Sequence, residues 1–406
     1  MHVIFVEPGF PNNQREFVRG LHAAGAFVTG IGERPLEFLD DDLRSWLGAY
    51  EQVSSVVHEP SLREAVQRIQ GRGWVDRLEA TIEAHIQPTA NVREATGIPG
   101  TTPQTAFLCR DKPSMKEALR RADIPCAMST GTDSLEEAVQ FARDVGYPLI
   151  VKPRDGAGAQ GTYRVSSEPE LLQALRESHV GQGANVALEE FIEGHEGFYD
   201  TITIDGQVVH EFVCHYYPNV LEGMRARWIS PQIVTTNRID GGTYDEVKNL
   251  GKAVIGELGI GTSATHMEWF YGPKGLKFNE IGCRPPGVGA WDLYCAANDM
   301  DLYTEWAHAI VHGKTSQTPS RQYSSGLVAL RPDRDGHISG YEGVQDLQMD
   351  WSEWIIDTHF PGPGSRTQPV EGGFMANAWV RMKHPDYDVL RRMLDTVGEK
   401  VKVHAH

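Results

Sequence analysis

Residues 148–165, PLIVKPRDGAGAQGTYRV, decide the fold. Their order is an apolar run, a glycine-rich turn and a second short strand, which predicts a β-hairpin with a mobile tip. Lys152 closes the first strand, and the turn holds Gly156, Gly158 and Gly161, with Gln160 among them. Backbone N–H groups in such a turn can approach an anion closely, as phosphate-cradling nests require. A plain flexible surface hairpin would use the same residues, so the reading turns on what surrounds them.

On one side, Ser134 with Glu137 forms a capping box ahead of Val139, Ala142 and Val145, and Gly146 with Pro148 stops that helix before the hairpin. Ser167 and Glu170 repeat the device on the other side and open a helix with Leu171, Leu172 and Leu175 on its apolar face. Upstream, Asp111 caps a helix carrying Met115 and Leu119, which places Lys112 at its start. Downstream, VALEEFIEG (186–194) reads as a strand turned at Gly194, followed by strands at 199–204 and 207–214 and by a helix with Val247, Leu250, Val254 and Leu258 at helical spacing. THMEWF (265–270) and LKFNEI (276–281) then form two strands joined by a turn at 272–275, which puts Glu268 and Glu280 on neighbouring antiparallel strands. Two half-buried carboxylates need a partner, because unpaired buried charge is costly. A divalent metal is one such partner and a salt bridge to Arg284 is another.

The first hundred residues follow a different pattern. Residues 3–6 and 26–31 read as strands on either side of a helix carrying Phe17, Val18 and Leu21, and this spacing predicts a parallel sheet with right-handed crossover. There is no G-x-G-x-x-G, so a dinucleotide site is not supported there. The stretch 96–102, with two glycines and Pro99, marks a boundary, and a length of 406 residues predicts two to three domains. With 38 Lys and Arg against 55 Asp and Glu, the net charge of −17 disfavours nucleic acid, although a local cluster of cations can still hold a small anion. Five cysteines without a C-x-x-C pair predict neither a disulfide framework nor a thiolate zinc site. No stretch approaches the ~20 apolar residues of a membrane span, no membrane partner is expected, and cytoplasmic residence is.

Taken in order, these motifs resemble the ATP-grasp superfamily of ADP-forming carboxylate–amine ligases. RDK (110–112) is similar to the family's entry to its ATP-binding region, and PLIVKP with the hairpin to its phosphate lid. LEEFIEGHE (188–196) is similar to the nucleotide hinge, and HMEWF with NEIGCRPPG to the metal and acyl-transfer strands. The resemblance implies an α/β and α+β architecture: a small N-terminal parallel α/β domain (1–100), a mobile lid subdomain (101–195), a central antiparallel catalytic subdomain (196–320) and a β-rich closing segment (321–406).

It also implies ATP and Mg2+ as cofactors. Lys112 and Lys152 fall on the ATP phosphates, with Gly156, Gly158, Gln160 and Gly161 of the hairpin around them. Glu189 falls on the adenine amino group, the backbone of Glu190 and Ile192 on the remaining adenine edge with Phe191 between them, and Glu196 on the ribose. The side chain of Glu190, which the family does not use, is expected in solvent. Glu268 and Glu280 are implied as magnesium ligands. Arg284, catalytic together with Lys152, is implied to contact the transferring phosphoryl group or the acyl phosphate. Gly282 departs from the pattern, since the family often has asparagine two positions after the second glutamate, so one metal ligand is missing.

Within the superfamily the chain resembles the amino-acid-ligase branch, through a stretch 327–340 similar to its small lid and a segment 214–240 placed where specificity elements lie. The implied partners are a small-molecule carboxylate and an amine, and a homodimer is left open. A biotin-carboxylase-like activity and a non-catalytic ATP-binding module are the alternatives. Lys152 reads as an exposed strand-end ammonium, His266 shares a strand face with Glu268 and can support it by a hydrogen bond, and Trp351 and Trp354 read as packing residues.

Overall fold

The computed structural model describes residues 1–154, 161–224, 226–370, 373–374 and 377–406. Val3, Ile4, Phe5 and Val6 are fully buried, as expected of a parallel strand covered on both faces. They form β1 (His2–Val6), an inner strand of a four-stranded parallel sheet ordered β3-β2-β1-β4, with β2 (Phe27–Gly32), β3 (Ala49–Gln52) and β4 (Arg77–Glu79). The helix Gln14–Ala23 turns Phe17 into a cluster with Trp291, Tyr303 and Trp306, so this domain shares a core with the rest of the chain. Gly20 permits that contact: a Cβ there would lie 2.6 Å from the carbonyl oxygen of Tyr303.

The hairpin belongs to a separate antiparallel sheet ordered β5-β8-β6-β7, made of β5 (Ser129–Thr132), β6 (Leu149–Pro153), β7 (Tyr163–Val165) and β8 (Val186–Glu190). Leu149–Val151 pair with Tyr163–Val165 as predicted, and the tip 155–160, which holds Gly156, Gly158 and Gln160, lies outside the described residues. Ser134 and Ser167 cap their helices by accepting from the N–H groups of Glu137 and Glu170. Those helices bury Ala138, Ala142, Leu171 and Leu175 against Leu149, Val151 and Leu188, giving this sheet its own small core.

The site rests on an eight-stranded sheet ordered β13-β12-β9-β10-β11-β14-β17-β16. Its strands are β9 (His195–Ile204), β10 (Gln207–Tyr217), β11 (Gln232–Thr235), β12 (Ser263–Gly272), β13 (Gly275–Gly282), β14 (Ser324–Leu330), β16 (Ile355–His359) and β17 (Ala378–His384). A two-stranded ribbon of β15 (Ile338–Glu342) with β18 (Lys402–Ala405) flanks it. Leu327–Leu330, read from sequence as part of a small lid, are instead in β14, buried in the middle of the large sheet. The apolar run LVAL suits an inner strand covered on both faces better than a mobile element. Trp351 and Trp354 pack on the core beneath β17. Among the described residues no helix is long and apolar enough to cross a membrane.

Candidate active site

Between the hairpin sheet, the large sheet and the N-terminal domain lies a cavity of about 960 Å³. Its walls bring together Lys112, Lys152, Glu189, Glu190, Phe191, Ile192, Glu196, Glu268, Glu280 and Arg284 from the predicted set. Gly161, at the described end of the hairpin turn, has φ +68, a left-handed conformation that favours glycine.

Asp111 caps the helix Lys112–Arg121 by accepting from the Ser114 N–H, and its carboxylate is clamped by Arg154 from the strand that carries Lys152. Lys152 is not the exposed ammonium expected from sequence. It is 9% exposed, and its Nζ lies 2.7 Å from Glu189 Oε2 and 3.9 Å from Glu280 Oε2, because a strand end covered by a second sheet loses its water. Lys112 Nζ lies 3.4 Å from the same Glu280 oxygen. Glu189 is gripped on its other side by Lys116, whose Nζ is 2.7 Å from Oε1 and whose side chain is fully buried. Burial pushes the Lys116 pKa down to about 8 although Glu189 opposes it. Burial would raise Glu189, but the two ammonium groups outweigh it and hold that carboxyl down at about 2. For Lys152 burial pulls downward, and Glu189 with Glu280 prevail and raise it.

Along the hinge, the Glu190 N–H donates to the Met128 carbonyl, so that donor is committed within the fold. The Glu190 side chain is not free in solvent: Lys274 pairs with it and the Met128 N–H donates to it at 3.3 Å. Phe191 stacks under the Arg164 guanidinium at 4.2 Å, and Ile192 is buried beside it. Glu196 Oε2 accepts from the Val220 N–H at 2.7 Å, tying β9 to the segment after β10. Burial, then the neighbouring Glu268 carboxylate, push the Glu196 pKa up to about 8.

Glu268 and Glu280 are direct cross-strand partners in the β12–β13 register. Asn279 Nδ2 donates to Glu268 Oε2 at 2.9 Å, and His266 Nε2 stands 3.8 Å from Oε1. His266 is itself held through Nδ1 by Asp200 at 2.7 Å; burial would lower its pKa, but Asp200 lifts it to about 9. Among the described residues no group of three or more His, Cys, Asp or Glu could hold a metal ion alone. Two facing carboxylates on a cavity wall fit a hard divalent cation that a polyphosphate ligand helps to hold. Arg284, the alternative partner for these glutamates, pairs elsewhere: its Nε donates to Glu83 Oε2 at 2.7 Å and its Nη1 to the Pro285 carbonyl. Gly282 lies beside that pair: a Cβ there would be in van der Waals contact, 3.4 Å from both Arg284 Nε and Glu83 Oε2.

Comparison with known proteins agrees with this geometry. Residues 111–208 match the family model of the carbamoyl-phosphate synthase L chain ATP-binding domain. A crystal structure of an L-amino acid ligase from Bacillus licheniformis superposes with a TM-score of 0.76 over 100% of this chain and 98% of that one, at 15% identity. The chain has an ATP-grasp fold. Two Bacillus subtilis proteins are similar to this chain in sequence. The L-arginine-specific L-amino acid ligase is 27% identical over 284 residues, 68% of this chain and 67% of the relative. The alanine–anticapsin ligase is 25% identical over 236 residues, 52% of this chain and 48% of the relative.

Sequence reasoning missed several residues of this cavity. Lys116 had a readable signal: Lys112, Met115, Lys116 and Leu119 fall at i, i+3, i+4 and i+7, so both lysines share the buried helix face. Asp200 faces His266 in the β9–β12 register, but nothing short of the register announces it. Glu83, Thr81 and Gln14 reach the cavity from the N-terminal domain, and no local pattern connects them to a site 200 residues away. The segment 214–240 does reach it, through Asn219–Glu222, Met224, Trp228 and Ile229.

Proposed function

We propose that this chain is an ATP-dependent, ADP-forming ligase that activates a carboxylate as an acyl phosphate and couples it to an amine. The carrying observation is the arrangement around Lys152: a buried ammonium shared by Glu189 and Glu280, with Lys112 on the same Glu280 oxygen and Arg284 on the same cavity wall. In this reading the hinge from Glu189 to Ile192 receives the adenine and Glu196 the ribose. Since the Glu190 N–H is committed to Met128, its part in holding the adenine edge falls to its carbonyl, beside the main chain of Ile192.

Lys112 and Lys152 then lie along the phosphates, where aligned cations lower the energy of a loose, anionic phosphoryl-transfer transition state. Magnesium, which Glu268 and Glu280 would hold, supplies further charge neutralisation at the terminal phosphates. The acid's oxygen forms a bond to the γ-phosphorus while the bond to ADP breaks. Arg284, with its planar fork, suits the phosphoryl group of the product. An amine next displaces phosphate from the acyl carbon. The sequence relatives support an amino acid or small peptide as the carboxylate and amine.

The test is incubation with ATP, Mg2+ and a mixture of the twenty standard amino acids, followed by chromatography of nucleotides and mass spectrometry of products. ADP with a dipeptide mass is expected, and hydroxylamine should trap the acyl phosphate as a hydroxamate. Stoichiometric AMP and pyrophosphate would overturn the mechanism. ATP binding without turnover for any acid would favour a non-catalytic ATP-binding module, the reading that Gly282 motivates.

A further inference from the structure

We infer that Glu83 is the anion that receives the ammonium of the amine substrate once Arg284 has moved to the acyl phosphate; the inference rests on the ligase reading above. Glu83 opens the helix Glu83–Thr96 of the N-terminal domain and lies on the cavity wall with Thr81 and Gln14, away from the hinge. Among the described residues, each other half-buried or buried glutamate of the cavity has a partner that nucleotide binding leaves in place or itself replaces. Glu189 has Lys116, Glu190 has Lys274, Glu196 has the Val220 N–H, and Glu268 and Glu280 face the phosphates. Glu222 is exposed, so water satisfies it.

Glu83 differs from all of these. Its Oε2 takes the Nε donor of Arg284 at 2.7 Å, and Arg284 is the one side chain the reaction needs elsewhere. When the guanidinium turns to the acyl phosphate, a carboxylate only 28% exposed loses its cation. A half-buried carboxylate without its partner is unfavourable, so the site favours a replacement cation at that step. The ammonium of an aliphatic amine or amino acid supplies it, and on passing one proton to the Glu83 carboxylate becomes the free amine that attacks the neighbouring acyl carbon as phosphate leaves. The chemical class follows: the amine carries a positive charge at neutral pH, and uncharged nucleophiles gain nothing from Glu83.

Hydroxylamine, uncharged at pH 7.5, is the discriminating probe. With ATP, Mg2+ and the amino-acid pair found by the mixture screen, amide and hydroxamate formation are compared for wild type, Glu83→Gln and Glu83→Asp. Glu83→Gln should lower the ratio of amide to hydroxamate by about tenfold or more, through a raised KM for the amine, the scale of losing a charge-assisted contact. Glu83→Asp should recover part of it. Because both products come from one protein sample, a misfolded variant would lower them together. A parallel fall in amide and hydroxamate, or an unchanged ratio, overturns the inference. If the wild type forms neither hydroxamate nor ADP with any of the acids tried, the ligase reading itself fails, a distinct result seen before any variant is made.

Discussion

Glu268 and Glu280 sit opposite one another across β12 and β13, yet different neighbours neutralise them: His266 and Asn279 attend Glu268, while Lys112 and Lys152 attend Glu280. Glu280 is therefore the carboxylate nearer the two lysines. Glu280→Gln should abolish magnesium-dependent turnover, and Glu268→Gln should impair it, since the amide keeps shape and loses ligand charge. Thermal unfolding with and without Mg-ATP checks this, because a ligand that binds only the folded state raises stability by RT ln(1 + [L]/Kd). Both variants retaining the wild-type magnesium-dependent shift would remove these residues from the metal site.

Lys116 carries a second prediction. Its ammonium is fully buried and faces Glu189 at 2.7 Å, so Lys116→Met leaves a carboxylate with only Lys152 for company. Removing one partner of a buried ion pair costs about 3–5 kcal/mol. Urea unfolding of Lys116→Met should show a loss of that order, and the double variant Lys116→Met with Glu189→Gln should lose less than the two single variants together. Strict additivity would mean that the pair is not energetically coupled.

The hairpin, the capped helices and the strand pairs 265–270 and 276–281 were legible because each is specified by residues within a few positions of one another. Lys152 was placed on its strand correctly and misjudged in exposure, since burial there comes from the Glu189 strand paired beside it and from Glu280 on the other sheet. The stretch 327–330 was misread because β14 gains its neighbours from β11 and β17, 92 residues before Leu327 and 48 residues after Leu330 at the nearest ends. Glu83 could not be found from sequence at all: only the tertiary fold brings it to Arg284.

Glu196 yields a pH dependence. Its pKa in the folded chain is about 8 against an ordinary 4.5, so between those values the folded state holds a proton that the unfolded state has released. Stability from this group is therefore full below pH 4.5 and declines as pH rises toward 8, by at most about 1.4 kcal/mol per pH unit. Glu196→Gln removes the decline. Urea unfolding of wild type and variant across pH 5 to 8 should show the variant gaining on wild type by a few kcal/mol. Parallel profiles would place the Glu196 proton elsewhere.

Gly282 supports the last prediction. A Cβ at this position would stand in van der Waals contact, 3.4 Å from Glu83 Oε2 and from Arg284 Nε, so the further atoms of Gly282→Asn would press on this pair. Glu280 and Gly282 are two apart on β13 and share a face, so the new amide oxygen would be offered on the side of the metal carboxylate. Two opposite effects should follow from this one change. The magnesium concentration for half-maximal ADP release should fall several-fold, because a third hard oxygen joins two carboxylates. The amide-to-hydroxamate ratio should also fall, because the wedge separates Glu83 from the position where it meets the ammonium. A magnesium titration of ADP release, run beside the hydroxylamine assay, reads both. An unchanged half-saturation would mean that residue 282 does not face the metal, and an unchanged ratio would mean that Glu83 keeps its place despite the added side chain.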